Sequence, residues 1–252
     1  MKNKKVIIGV IIAIVVLVVI AVGAFGYYRI QQENLLIEEV NAIVSSNILE
    51  DEIDMTIKSK GNYAKVEKTI KEYLNEYVSK VKKAEEIYMN KEVINALSAE
   101  NCESDGPEFT KTKETVKTAK ETANNYVNDL TNYLEKDTML ARIEEQNLSQ
   151  YYVDLYAKLM YDDEETMKDL QEAKEKMIES NDDYVEMLGK IEEAMNLLSE
   201  NKDSWKLNNG RIEFTSISLL TKYNNIVRSI KYQNRGMIKI IIPLFWYYRV
   251  NI

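Results

Sequence analysis

Tyr63-Ala-Lys-Val66-Glu-Lys-Thr-Ile70-Lys-Glu-Tyr73-Leu-Asn-Glu-Tyr77-Val-Ser-Lys-Val81-Lys-Lys-Ala84-Glu-Glu-Ile-Tyr88 decides the fold. Its apolar and aromatic residues recur at steps of 3, 4, 3, 4, 4, 3 and 4, and Ile94 and Leu97 extend the series. That spacing puts them on one stripe of a helix, the seam of a bundle or coiled coil. A stripe this long needs other helices to cover it. Glu67–Lys71 and Glu76–Lys80 stand at i,i+4 and are placed on the solvent side, each pair worth a few tenths of a kcal/mol.

The rest of the chain repeats the pattern. Val116, Ala119, Ala123, Tyr126, Leu130 and Tyr133 step by 3, 4, 3, 4 and 3, and the alanines permit close approach of a neighbouring helix. Leu140, Ile143, Leu148, Tyr151, Leu155 and Leu159 continue with phase shifts that call for breaks near 137 and near Asp162-Asp163. Met160, Met167, Leu170, Met177, Tyr184, Leu188, Ile191, Met195 and Leu198 share a heptad frame, interrupted by Asp163, Lys174 and Asn181. Ser180 to Asp183 resembles a capping box and allows a helix start. Ser98 to Phe109 reads as a loop in which Asp105 caps the next helix, with Pro107 and Glu108 in its first turn. Asn201 to Gly210 reads as a polar turn. A last amphipathic helix is expected from Arg211 to Lys231, carrying Ile212, Ile217, Leu220, Tyr223, Ile226, Val227 and Ile230. Residues 31–213 hold four glycines and one proline, too few to punctuate short elements. The class is all-α, an elongated antiparallel helical bundle with coiled-coil-like packing across 61–235.

Before the bundle lies Val6 to Phe25, twenty residues without a charge. As a helix it would be about 30 Å long, the thickness of a bilayer's hydrocarbon core. Lys2, Lys4 and Lys5 precede it. Tyr27 and Tyr28 follow, suited to the headgroup layer, and Arg29 is succeeded by Glu33, Glu38 and Glu39. The positive-inside rule gives a cytoplasmic basic stub (1–5), a single-pass transmembrane signal-anchor helix (6–28) and an extracytoplasmic body. Cleavage of the run as a signal peptide is the rival, with Ala21-Val22-Gly23 or Val22-Gly23-Ala24 as sites, but a signal's apolar core is shorter, roughly 7–15 residues. Residues 29–60 are expected to continue the anchor helix. Leu36, Val40 and Ile43, with Ile37, Val44 and Ile48 beside them, give it one broad apolar face; Lys58 and Lys60 fall in its last turn, and Gly61 caps it.

Charge and composition limit the chemistry. All 41 Asp and Glu lie between Glu33 and Glu213, while four Lys or Arg precede this window and six follow it. So acidic a body is a poor partner for nucleic acid or an anionic membrane surface. There is no histidine and one cysteine, Cys102. Ser-His-Asp and Cys-His catalysis, His/Cys zinc sites and an intrachain disulfide are therefore excluded within one chain; an exposed Cys102 could link two chains. Asp162 to Glu165 lacks EF-hand spacing and reads as a solvated helix start. The 17 tyrosines, against four phenylalanines, read as buried rings with hydroxyls reaching the bundle's edge, over an aromatic binding groove. The methionine-rich frame reads as core.

From Phe214 onward there is no acid, and residues 236–252 form an apolar, basic tail. Arg235, Lys239, Trp246, Tyr247 and Tyr248 suit a membrane interface. An altered reading frame at the gene's end ranks second, and a short membrane span broken by Pro243 third. The expectation is a membrane-tethered scaffold or protein-interaction module, without catalytic activity or cofactor, in a bacterial-type cell membrane. Its partners are the lipid bilayer and a protein partner or a second copy engaged through helices. A sensor or ligand-binding helical domain acting through a membrane partner is the alternative. An enzyme, which would need convergent carboxylates in a cleft, comes third.

Overall fold

The computed structural model describes residues 26–43, 45–46, 51–161 and 164–241, the side chains of Glu85, 164–166 and 231–241 excepted. The run Val6–Phe25 and the residues after Ile241 lie outside this description. Among the described residues no helix is long and apolar enough to cross a membrane.

The described residues are mostly helical. Helix α1 covers residues 26–43. It is followed by α2 (Asn62–Tyr88), α3 (Lys91–Ile94), α4 (Ala99–Ser104), α5 (Thr110–Tyr133), α6 (Lys136–Glu144), α7 (Gln150–Met160) and α8 (Glu164–Glu200). A hairpin of β1 (Trp205–Asn208) and β2 (Arg211–Phe214) precedes α9 (Ile217–Ile241). Contacts divide the chain into two compact units, Met1–Leu74 with Arg142–Met160, and Asn75–Ala141 with Tyr161–Ile252.

The first unit buries Leu36, Val40 and Ile43 of α1, Tyr63, Val66, Ile70 and Tyr73 of α2, Ile143, and Tyr156 of α7. The broad apolar face expected on α1 is narrower than the sequence suggests. Ile37, one residue round the helix from Leu36, is 40% exposed. The expected helix through residue 60 is also corrected, because residues 52–58 are not helical. Their backbone is held instead by side chains from α1 and α2. Gly61 is left-handed as expected (φ 62°), but it leads into α2 and does not close the preceding helix.

The second unit is a helical bundle. In α2 and α5, Lys80 pairs with Asp129 and Tyr133 donates to Glu76. In α5 and α8, Lys113 meets Ser199, Lys120 meets Glu192 and Asn124 meets Asn181. Each set runs in opposite sequence order, so both pairings are antiparallel. Val116, Ala119 and Ala123 of α5 pack with Tyr184, Leu188, Ile191, Met195 and Leu198 of α8, and Phe109, Cys102 and Val93 close the same core. From Leu170 to Leu198 the methionine-rich frame is interior, whereas Met167 is half-buried and Met160 belongs to α7 of the first unit. A break between α5 and α6 falls at Leu134–Glu135, close to the phase shift near 137. A further turn at residues 145–149, where Asn147 is left-handed (φ 52°), goes unforeseen by the periodicity.

Four further expectations are corrected. Residues 98–109 are not all loop: Ser98 accepts a hydrogen bond from the Asn101 amide and starts α4. Helix α5 begins at Thr110, so Pro107 and Glu108 precede its first turn. Helix α8 runs unbroken through Ser180–Asp183. Residues 205–214 form a two-stranded sheet in register Trp205↔Phe214 and Leu207↔Ile212, turned by Asn209 and Gly210 at φ 49° and 73°. That Asn-Gly turn matches the right-handed strand twist and is a strong short hairpin signal. Helix α9 accordingly starts at Ile217, which is 84% exposed, and buries Leu219 where Leu220 was expected.

Candidate functional site

The first unit contains a buried charge cluster. Lys71 and Glu67 are both about 1% exposed, which overturns their placement on the solvent side of α2. Lys71 Nζ reaches Glu67 Oε1 at 2.9 Å, Glu39 Oε2 at 3.0 Å and the Thr56 carbonyl at 2.6 Å, an acceptor for each of its three protons. Glu67 in turn accepts from the amides of Lys58 and Ser59 and from the Ser59 hydroxyl at 2.6 Å. Burial pushes the Glu67 carboxyl up, but the Ser59 hydroxyl, Lys71 and the two amides outweigh it and hold it below the ordinary value. Burial likewise pulls Lys71 down, and Glu67 and Glu39 more than restore it, leaving it above the ordinary lysine value. The work of Lys71 is to clasp the extended 54–60 segment to α1 and α2, and Gln32 adds a further bond at 2.6 Å to the Lys60 amide.

One end of the same unit is lined by tyrosines. The hydroxyls of Tyr63 and Tyr151 share a hydrogen bond of 3.1 Å. The rings of Tyr63 and Tyr152 stand edge to face at 5.1 Å, and those of Tyr151 and Tyr152 at 5.0 Å. The Arg29 guanidinium lies 4.1 Å over the Tyr151 ring, a cation–π contact. A Cβ on Gly61 would stand 3.6 Å from the Tyr28 hydroxyl, so the turn before α2 belongs to the same end.

Three tyrosines of the second unit, Tyr88, Tyr126 and Tyr184, pack against one another inside it. Tyr88 packs edge to face on Tyr184 at 4.9 Å and on Tyr126 at 6.2 Å. Tyr88 donates to Asn181, Tyr126 to the Lys80 carbonyl and Tyr184 to the Ile87 carbonyl. Burial raises all three phenols, Tyr184 to about 12. Asn181, the polar residue in the heptad frame, is buried but satisfied, since it also donates to Asn124 at 2.8 Å. Asp105 does cap α5, though from outside the helix, accepting from the Thr112 amide at 2.8 Å and hydroxyl at 2.7 Å. Cys102 is buried and desolvation pushes its thiol up to about 11, so the interchain link that an exposed Cys102 would allow does not arise in the folded chain. Between α8 and α9 lies a groove of about 590 Å³ lined by Gly189, Glu192, Glu193, Asn196, Leu197, Glu200, Lys222, Asn225 and Ile226. Two of its carboxylates are already engaged, Glu192 by Lys120 and Glu193 by Lys190. Among the described residues no group of three or more His, Cys, Asp or Glu is placed to hold a metal ion.

Of the residues singled out for the membrane, Tyr27 and Tyr28 lie on α1 and are exposed, 65% and 38%. Arg235 and Lys239 lie on α9, which continues past the expected tail boundary to Ile241. Lys2, Lys4, Lys5, Val6, Phe25, Trp246, Tyr247 and Tyr248 lie outside the described residues. Neither the Glu39–Glu67–Lys71 cluster nor the Arg29–tyrosine end is visible in sequence periodicity, because each joins residues far apart in the chain. No protein-family model, no curated protein and no solved structure matches the chain.

Proposed function

We propose that this chain is a membrane-tethered, extracytoplasmic helical scaffold that works through protein contact and not through catalysis. The observation that carries the reading is the uncharged Val6–Phe25 run with its preceding lysines, which fits a signal-anchor inserted with the N-terminus inside. Exposed Tyr27 and Ile30 on the turn just after the run support it, since such side chains favour a bilayer's interfacial layer over bulk water. On this reading the acidic bundle is elongated, packed in coiled-coil fashion, and presented at the outer face of a bacterial-type cell membrane. The basic, apolar tail after Arg235 rests on the same interface. A protein partner, or a second copy, is engaged through helix faces.

Reporter fusions test the orientation. A reporter active only in the cytoplasm should be silent when fused after Lys231, and activity there would reverse the topology. Carbonate extraction should leave the chain in the membrane, whereas release would remove the anchor. A second reading, a ligand-binding ectodomain acting through a membrane partner, is favoured by the groove between α8 and α9. A peptide or small molecule whose thermal stabilisation of the chain vanishes in Gly189→Phe would establish it.

A further inference from the structure

We infer that the tyrosine-lined end of the first unit, where α1, the start of α2 and the start of α7 meet, sits in the headgroup layer of the bilayer. The partner is a zwitterionic phospholipid surface, and the inference rests on the anchor reading above. Reach is the first argument. Residue 29 lies four residues beyond Phe25, about 6 Å of rise if the anchor helix runs on into α1. The polar layer on each side of a bilayer is roughly 5–7 Å deep. Arg29 therefore stands at or within it if Val6–Phe25 spans the core.

Contact carries the level of Arg29 across the unit. Its guanidinium is 4.1 Å from the Tyr151 ring, whose hydroxyl bonds Tyr63, and Tyr152 packs on both. Tyr28 and Gly61 meet at the same end. Four tyrosines, Tyr27, Tyr28, Tyr151 and Tyr152, are thus gathered around the buried Tyr63 at the level where the chain would leave the membrane. Tyr151 and Tyr152 keep part of their surface open, and Ile30, which follows Arg29 on α1, is 59% exposed. Tyrosine is the residue of that layer, with an apolar ring and a hydroxyl for water and phosphate esters. Charge selects the lipid: Glu33, one helical turn on from Arg29 and near enough to act on the Tyr63 hydroxyl, offsets the Arg29 guanidinium, so attraction to anionic headgroups is weak and binding should be nearly independent of salt.

The test uses the full chain reconstituted in phosphatidylcholine vesicles carrying a headgroup-attached spin label. Cys102→Ala supplies the background, and a fluorophore is placed on single cysteines at Tyr27→Cys, Ser149→Cys or Ala42→Cys. Ser149 immediately precedes α7, and Ala42 is exposed about 24 Å up α1 from Gly26. The labels at 27 and 149 should lose most of their fluorescence, with little change at 42 and little effect of salt. Gln150→Cys provides a second label should Ser149→Cys fold poorly. Quenching at 27 but not at 149 or 150 would overturn the inference while leaving the anchor intact. Shielding of 149 without quenching, together with crosslinking between copies, would also overturn it and assign this end to self-association. A chain that does not float with the vesicles would remove the anchor reading itself, and the inference with it.

Discussion

Lys71 is the residue on which the first unit's charge balance turns. Both it and Glu67 are withdrawn from water, so removing one partner leaves a buried charge incompletely compensated, a change that commonly costs about 3–5 kcal/mol. Lys71→Met should lower stability in urea by about 3 kcal/mol, followed by circular dichroism, with the double variant Glu67→Gln/Lys71→Met losing less than the sum of the two single changes. The pH dependence follows from the directions of the shifts. Glu67 is lowered in the folded chain, so its contribution is present above the ordinary carboxyl value near 4.5 and is lost as pH falls through the folded value. Lys71 is raised, so its contribution is full below the ordinary value of 10.5 and is lost only as pH climbs past that. The urea midpoint should therefore hold between these limits and drop on the acid side, with a shallower acid slope in Glu67→Gln. An unchanged slope would mean that Glu67 titrates alike in both states. At Cys102, thiol-specific labelling should be slow in native buffer and rise sharply across the unfolding transition, because the sulfur is buried and its thiolate disfavoured.

Elements differ in how plainly the sequence announced them. The seams of α2 and α5 and the inward frame of α8 were legible, because each repeats at helical spacing and the spacing alone fixes which face is buried. Tyr63 through Ala84 are buried as that spacing requires. The hairpin has a signal, Asn209-Gly210 between Trp-Lys-Leu-Asn and Arg-Ile-Glu-Phe, but Ile212 also fits the helical spacing of the residues after it, which draws β2 into the expected helix. The 52–60 segment has no periodic signal to offer, since beyond the Thr56 amide's bond to Asp54 its backbone is held by the distant Glu67 carboxylate, Lys71 and Gln32. Of the candidate membrane-facing site, Tyr27 and Tyr28 could be read from their place beside the apolar run. Tyr63, Tyr151 and Tyr152 could not, because only folding brings them to Arg29. Two glycines allow an element-scale test. Gly210→Ala forces a side chain into φ 73° and should cost about 1 kcal/mol. Gly189→Ala, where a Cβ meets nothing within 4 Å in the middle of α8, should gain about 0.5–1 kcal/mol. Thermal midpoints moving in the same direction would refute one of the two.

On the scale of the molecule, each unit is assembled from two separate stretches of chain, with crossings inside α2, inside α6 and after α7. The first unit depends on Ile143 and Tyr156, both fully buried, from its second stretch. A chain ended after Ala141 keeps the first unit's first stretch, with α1 and all of α2, but lacks these two residues. Hydrogen exchange should then show α1 unprotected, while protection equal to that of the full chain would mean that the first stretch folds alone. The same weave governs the order of events at the ribosome. Residues 75–141 must be made before the stretch that completes the first unit, and the second unit still waits for α8 after that. Synthesis from the N-terminus therefore cannot finish one unit and then begin the other: most of the second unit's first stretch is made while the first unit is still open, and the first closes only once Met160 has emerged.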